Sequence, residues 1–139
     1  MKNYMEMKFS AQLRNVAFAR GVVASFLLEQ DLTISLINEI KTIVSEAVTN
    51  AIVHGYFEDP TKYVFLSMEL EDNILKMIIE DKGVGIEDVE KARMPLYTTK
   101  ENADRAGLGF TIMEIFADEL DVISKLGEGT KVICIKKLI

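Results

Sequence analysis

The sequence predicts an α+β domain, because its helix-like and strand-like stretches fall into blocks and do not alternate one for one. Three observations carry this. Residues 12–29 and 35–53 place apolar side chains at helical spacing. Residues 62–70 alternate apolar with polar, turn at Asp72-Asn73 and return through 74–80 as a hairpin. Apolar runs at 120–123 and 131–135 flank Gly127-Glu128-Gly129 and read as a second hairpin.

Taken in order, residues 4–9 alternate weakly and predict an edge strand, with Ser10 as the cap of the helix that follows. That helix, Gln12 to Glu29, carries one stripe of Leu13, Val16, Ala17, Ala24 and Leu27 and a second of Phe18, Val22 and Phe26 on roughly the opposite side. Two apolar faces on one helix imply either burial on both sides or a meeting with a partner or second subunit. Arg20 lies within the apolar pattern, where its charge calls for an acidic partner or for a stem that snorkels to the domain edge. The second helix runs from about Ser35 to Val53 on Leu36, Ile40, Val44, Ala47 and Ala51, and His54-Gly55 is expected to stop it with Gly55 in a left-handed cap. Residues 82–109 hold glycines, Pro95 and many polar side chains, so a long functional loop, a lid, is expected there. Phe110 to Ala117 predicts a third helix.

At 139 residues the chain is expected to be a single domain, 1–139, with an ordinary soluble balance of 49% hydrophobic and 27% charged residues. The net charge of -6 with no basic block argues against direct nucleic-acid binding through phosphates. No run reaches membrane-spanning length and the N-terminus lacks a signal-peptide core, so a cytoplasmic protein away from membranes is expected. The single cysteine, Cys134, sits in Val132-Ile133-Cys134-Ile135 and reads as a small buried hydrophobe.

Three short signals carry chemistry. Glu46 and Asn50 are four apart on the second helix, about 40° apart around its axis, at the border of the core stripe. An asparagine oxygen suits magnesium, and a glutamate can take a proton from a nucleophile. Asp81 ends a strand ahead of Gly83 and Gly85, where a carboxylate can accept from the exocyclic amine of adenine while glycines let the backbone approach a flat ring. Gly107-Leu108-Gly109 opens into the third helix, offering amides to an anion, with Arg105 and Lys100 upstream as phosphate contacts. Thr130 adds a hydroxyl on the final strand that can back the Asp81 carboxylate. Each signal alone also fits a bland role: a solvated helix edge, a strand-end turn, a surface loop. In this order and spacing they make a set for binding ATP and transferring its terminal phosphoryl group.

The combination resembles the GHKL ATP-binding superfamily of gyrase, the ninety-kilodalton heat-shock chaperone, histidine kinases and MutL. Glu46 to Asn50 resembles its N box, Asp81-x-Gly83-x-Gly85 its first glycine box, and Gly107-Leu108-Gly109 its second. The strings from Ser45 to Gly55 and from Pro95 to Lys100 are similar to those of the anti-sigma F factors of spore-forming bacteria. The resemblance implies a two-layer α/β sandwich whose mixed, largely antiparallel sheet carries helices on one face. It also implies a homodimer that binds ATP or ADP with Mg2+, holds a sporulation sigma factor and phosphorylates a serine of an anti-anti-sigma phosphoprotein. Glu46 would be the base, Asn50 the magnesium ligand, Asp81 the adenine reader and Arg105 a phosphate contact, with Thr98, Thr99 and Lys100 in the lid. A switch kinase of a stress-response sigma factor, or a binding module in which ATP only orders the lid, are the alternatives. The only histidine, His54, follows Asn50, so a sensor histidine kinase is not expected.

Overall fold

The structure, a computed structural model, describes residues 1–94 and 108–139. Five strands form one sheet: β1 (Asn3–Ser10), β2 (Tyr63–Glu71), β3 (Ile74–Asp81), β4 (Glu119–Lys125) and β5 (Gly129–Lys137), in the order β1-β2-β3-β5-β4. Every pairing is antiparallel, so among the described residues the sheet is antiparallel throughout. Asp72 and Asn73 both take positive φ, as the two-residue turn between β2 and β3 requires.

The two-residue period of a strand decides what reaches the interior. On β2 it buries Val64, Leu66, Met68 and Leu70; on β3 it buries Leu75, Met77 and Ile79, and the next inward position is Asp81. On β5 the inward set is Val132, Cys134 and Lys136, with Thr130 in the same phase. A strand pattern that buries methyl groups thus delivers a carboxylate and a hydroxyl, directly opposite each other in register, to one end of the core.

Helices α1 (Asn15–Phe26), α2 (Ile34–Asn50) and α4 (Gly109–Phe116) accompany this sheet, with a short α3 (Val89–Ala92), and α2 packs against both α1 and α4. Thr33 caps α2 by accepting from the Leu36 N–H at 3.1 Å. Ile40, Ile43, Val44, Ala47 and Val48 are buried on α2. The helix then widens into a single π-helical turn, Ala51–Gly55, closed by the Tyr56 N–H on the Ala51 carbonyl at 3.0 Å. Lys136, buried among apolar neighbours, donates to Glu39 of α2 at 2.9 Å and to the Phe116 carbonyl at the end of α4.

Three sequence expectations change. Ser10 does not cap α1: the helix starts at Asn15 after Arg14 with no side-chain cap, and Asn15 Nδ2 donates to the Ser10 carbonyl instead. Gly55 is not left-handed; the positive φ values fall on Phe57 (51°) and Glu58 (61°) just beyond it. The buried residues of α1 are Ala19 and Val23, between the two expected stripes, joined at the C-cap by Leu27 of the first stripe, while Leu13 and Phe18 stay exposed. One line meets the core there because α2 covers one side of α1.

Candidate functional site

A cavity of about 1000 Å3 opens among α2, the π turn, the start of α4 and the ends of β3 and β5. Its walls include Asn50, His54 and Gly55 from the α2 side, Asp81, Gly85 and Thr130 from the sheet, and Gly109 and Phe110 from α4.

Asp81 anchors the sheet end. It is buried, its Oδ1 accepts the Gly83 N–H at 2.9 Å, and the Thr130 backbone N–H opposite it also favours the carboxylate. Burial outweighs these bonds and pushes its pKa up to about 6. The surrounding backbone comes so close that only glycine fits. A Cβ on Gly55 would lie 2.8 Å from the Asp81 carboxylate, and one on Gly83 would lie 2.0 Å from the Gly55 carbonyl oxygen. Gly129 carries its backbone against the Asp81 carbonyl with φ of 100°. Gly55 is therefore needed for close approach and not for a helix cap.

Proton bookkeeping fixes the character of this end. Ser124 Oγ donates to the Gly129 carbonyl at 2.9 Å and accepts the Ile86 N–H at 2.7 Å. Its one proton being committed, the 2.7 Å contact with Thr130 Oγ1 takes the proton of the threonine. Thr130 and the ionised Asp81 then both offer only acceptor oxygens. The Thr130 hydroxyl is thus bonded to Ser124, and its backbone, not its hydroxyl, supports Asp81. Behind the carboxylate, the buried Tyr56 hydroxyl donates to the Tyr63 carbonyl and accepts the Lys82 N–H, both at 2.7 Å, bracing the π turn against the sheet.

At the helix end, Asn50 lines the cavity and Gly109 packs on it so closely that a Cβ there would lie 2.9 Å from Asn50 Nδ2. Leu108 precedes the first turn of α4. Glu46 is half-buried one turn before Asn50 and stands outside the described cavity walls. Arg20 of α1 is half-buried too, donating from Nη1 to Ser45 Oγ at 2.7 Å, which sets it beside Glu46 in the chain and away from the cavity. Thr98, Thr99, Lys100, Arg105 and Gly107 lie outside the described residues. Among the described residues no cluster of three His, Cys, Asp or Glu side chains offers a metal cage. Asn50 supplies a hard neutral oxygen, which fits an ion that fills its remaining positions with phosphate oxygens and water.

Sequence reasoning missed Tyr56, Ser124 and the true role of Gly55. Ser124 was findable, since it faces Thr130 in the register of the last hairpin; the Tyr56 brace, spanning distant strands, left no local signal.

The profile of a known family, the histidine kinase-like ATPase domain, matches residues 9–136. The chain belongs to this family. Among its relatives are an anti-sigma F factor of Anoxybacillus flavithermus, 51% identical over 99% of this chain and 94% of its own length, and one of Bacillus subtilis, 50% identical over the same shares. Among solved structures, that of the RsbU and RsbW domains of a Mycobacterium tuberculosis protein superposes with a TM-score of 0.69 over 98% of this chain at 18% identity. This chain spans 32% of that polypeptide, and the likeness is one of fold. Membership of an ATPase-domain family implies that the chain binds a nucleotide. No helix among the described residues is long and apolar enough to cross a membrane.

Proposed function

We propose that this chain is an anti-sigma factor of the sigma F type that also acts as an ATP-dependent protein-serine kinase on an anti-anti-sigma partner. The observation that carries the nucleotide reading is the Asp81 end of the cavity. Two acceptor oxygens, Asp81 and Thr130, line a cavity that Gly55 and Gly85 also line, and an amine-bearing planar base such as adenine supplies the matching donor. A base presenting a carbonyl at that edge would set oxygen against oxygen. The reading of the partners comes from the anti-sigma F factor relatives.

In this proposal the phosphates run from the Asp81 end toward Asn50 and the start of α4, where Gly107, Leu108 and Gly109 offer backbone amides and Arg105 and Lys100 offer charge. Thr98 and Thr99 belong with Lys100 to the covering segment. Asn50 would hold magnesium, which would supply charge neutralisation on the phosphate oxygens. Glu46 takes the proton of the attacking serine hydroxyl. Arg20, held by Ser45 next to Glu46, marks the surface that meets an acidic partner. The molecule works as a homodimer in the cytoplasm during sporulation.

A second reading, a binding module without transfer, is favoured by the position of Glu46 outside the described cavity walls. One paired assay separates the two. Glu46→Ala should still bind ATP and inhibit its sigma factor, while phosphorylating the anti-anti-sigma protein roughly 10²–10⁴-fold more slowly. A near-wild-type phosphorylation rate removes Glu46 as the base, and no phosphorylation by the wild-type chain leaves the binding module.

A further inference from the structure

Ser124 of β4 makes three hydrogen bonds beside the cavity and stands outside its walls. Its Oγ donates to the Gly129 carbonyl at 2.9 Å, accepts the Ile86 N–H at 2.7 Å and meets Thr130 Oγ1 at 2.7 Å. Ile86 and Thr130 both line the cavity, one from the loop after β3 and the other from β5. Backbone bonds already join these segments. The Glu128 N–H closes the β4–β5 turn on the Lys125 carbonyl at 2.9 Å, and the Gly127 N–H ties that turn to the Val84 carbonyl at 2.7 Å. What Ser124 adds is a direction for the Thr130 proton.

A threonine hydroxyl left to itself rotates to suit its partner and takes a donor or an acceptor equally well. Ser124 removes that freedom. With its own proton on Gly129 and one lone pair on the Ile86 N–H, it has only an acceptor position left for Thr130. The Thr130 proton is drawn away from the cavity, and the oxygen keeps its lone pairs for whatever enters. Asp81, the register partner of Thr130 across β3 and β5, lines the same cavity with its carboxylate. Two acceptors on neighbouring strands select a group with two hydrogens on one atom, which is what an exocyclic amine carries. A base with a ring N–H beside a carbonyl, as in hypoxanthine, satisfies Asp81 but sets its oxygen against Thr130.

We infer that Ser124 is a positioning residue for base recognition: it holds Thr130 as an acceptor, so that the site takes both hydrogens of an amine and rejects a carbonyl. This rests on the nucleotide-binding reading above and adds to it the residue that decides between amine-bearing and carbonyl-bearing bases. Ser124 acts through Thr130 and touches no ligand itself.

The test is calorimetric titration of the full chain with ATP and with inosine triphosphate, which exchanges the amine for a carbonyl. The wild type should prefer ATP by about one to two decades. In Ser124→Ala the Thr130 hydroxyl is free to turn and donate, so that preference should shrink about tenfold, mainly because inosine triphosphate binds more tightly. A merely structural loss weakens both nucleotides alike and leaves the ratio unmoved. Ser124→Thr keeps the hydroxyl at a strand position that suits a β-branched residue and should keep the ratio. In a Thr130→Val background, Ser124→Ala should change the ratio no further, because its route is gone. Should Ser124→Ala fail to melt cooperatively, Ser124→Cys, which fills the same space with a weaker acceptor, decides by the same ratio. An unmoved ratio overturns the inference, as does an equal shift in the Thr130→Val background. Wild-type protein that binds both nucleotides equally overturns it too and leaves nucleotide binding standing, whereas wild-type protein that binds neither overturns the nucleotide reading itself.

Discussion

At the sheet end of the cavity, the closest approaches, those of Gly83 and Gly129, are made by backbone against backbone. At the helix end, between α2 and α4, the close approach is made by a glycine against the tip of a side chain. A Cβ on Gly83 or Gly129 would fall 2.0 or 2.1 Å from a carbonyl oxygen fixed in the fold, whereas one on Gly109 would meet the Asn50 amide, which can rotate away. The first end is a socket of set shape, which in the proposed reading takes a rigid planar base. The second can adjust, which in the same reading suits the phosphates.

The most severe way to break that contrast is Gly83→Ala. Its Cβ has no room without moving the Gly55 carbonyl, so about 3 kcal/mol of stability should be lost, measured by urea unfolding, with ATP binding lost alongside. A stability change below about 0.5 kcal/mol would mean that the socket yields after all.

Asp81→Asn should separate binding from folding at the same end. An amide would set a donor against the amine of the base and weaken ATP by about one to two decades. The free protein should gain stability at pH 7.5, because a buried carboxylate is replaced by a neutral group. The sign follows from the raised pKa of about 6 against an ordinary 3.8. The stability contributed by the protonated acid is fully present below about pH 4 and is lost as pH rises through about 6, a difference of about 3 kcal/mol at most. Differential scanning calorimetry should therefore show the gain of the variant shrinking as pH falls from 7.5 toward 4. ATP affinity of the wild type should fall over the same range, since the base binds the ionised form. A variant less stable than wild type at pH 7.5 would assign the carboxylate a structural role.

The smallest effect sharpens the comparison from outside the site. Gly21, in the exposed middle of α1, has nothing within 4 Å of its Cβ position and no left-handed φ. Gly21→Ala should stabilise the chain by about 0.5–1 kcal/mol and leave ATP binding unchanged. Any loss of ATP affinity there would show that α1 is coupled to the cavity.

Much of this was legible in the chain. The alternation through 74–80 continues to Asp81, so the strand period alone sends that carboxylate inward, and the helical spacing of Glu46 and Asn50 follows equally from sequence. The role of Gly55 was not legible, because it depends on Asp81 arriving from another strand; a glycine after a helix reads locally as a left-handed cap. The left-handed Phe57 and Glu58 were hidden because neither residue type favours that conformation, which accompanies the backbone bonds of the chain reversal. Ser10 looked like a helix cap by type, but the helix begins at Asn15 and the asparagine turns back to the serine carbonyl. The lid expectation for Thr98, Thr99, Lys100 and Arg105 lies outside the described residues.

The strand order has a consequence for how the molecule comes together. β3 pairs with β2 through a two-residue turn, but its other neighbour is β5, which arrives only after α4 and β4 have been threaded past. Loops that long close slowly, because their entropy must be spent before the pairing returns anything. Gly129 and Thr130 reach Asp81 only at that closing step, whereas Gly55 and Gly83 meet it without β5. A fragment ending before β5 has the aspartate with only part of its socket, so in the proposed reading affinity for the base is a property of the completed sheet.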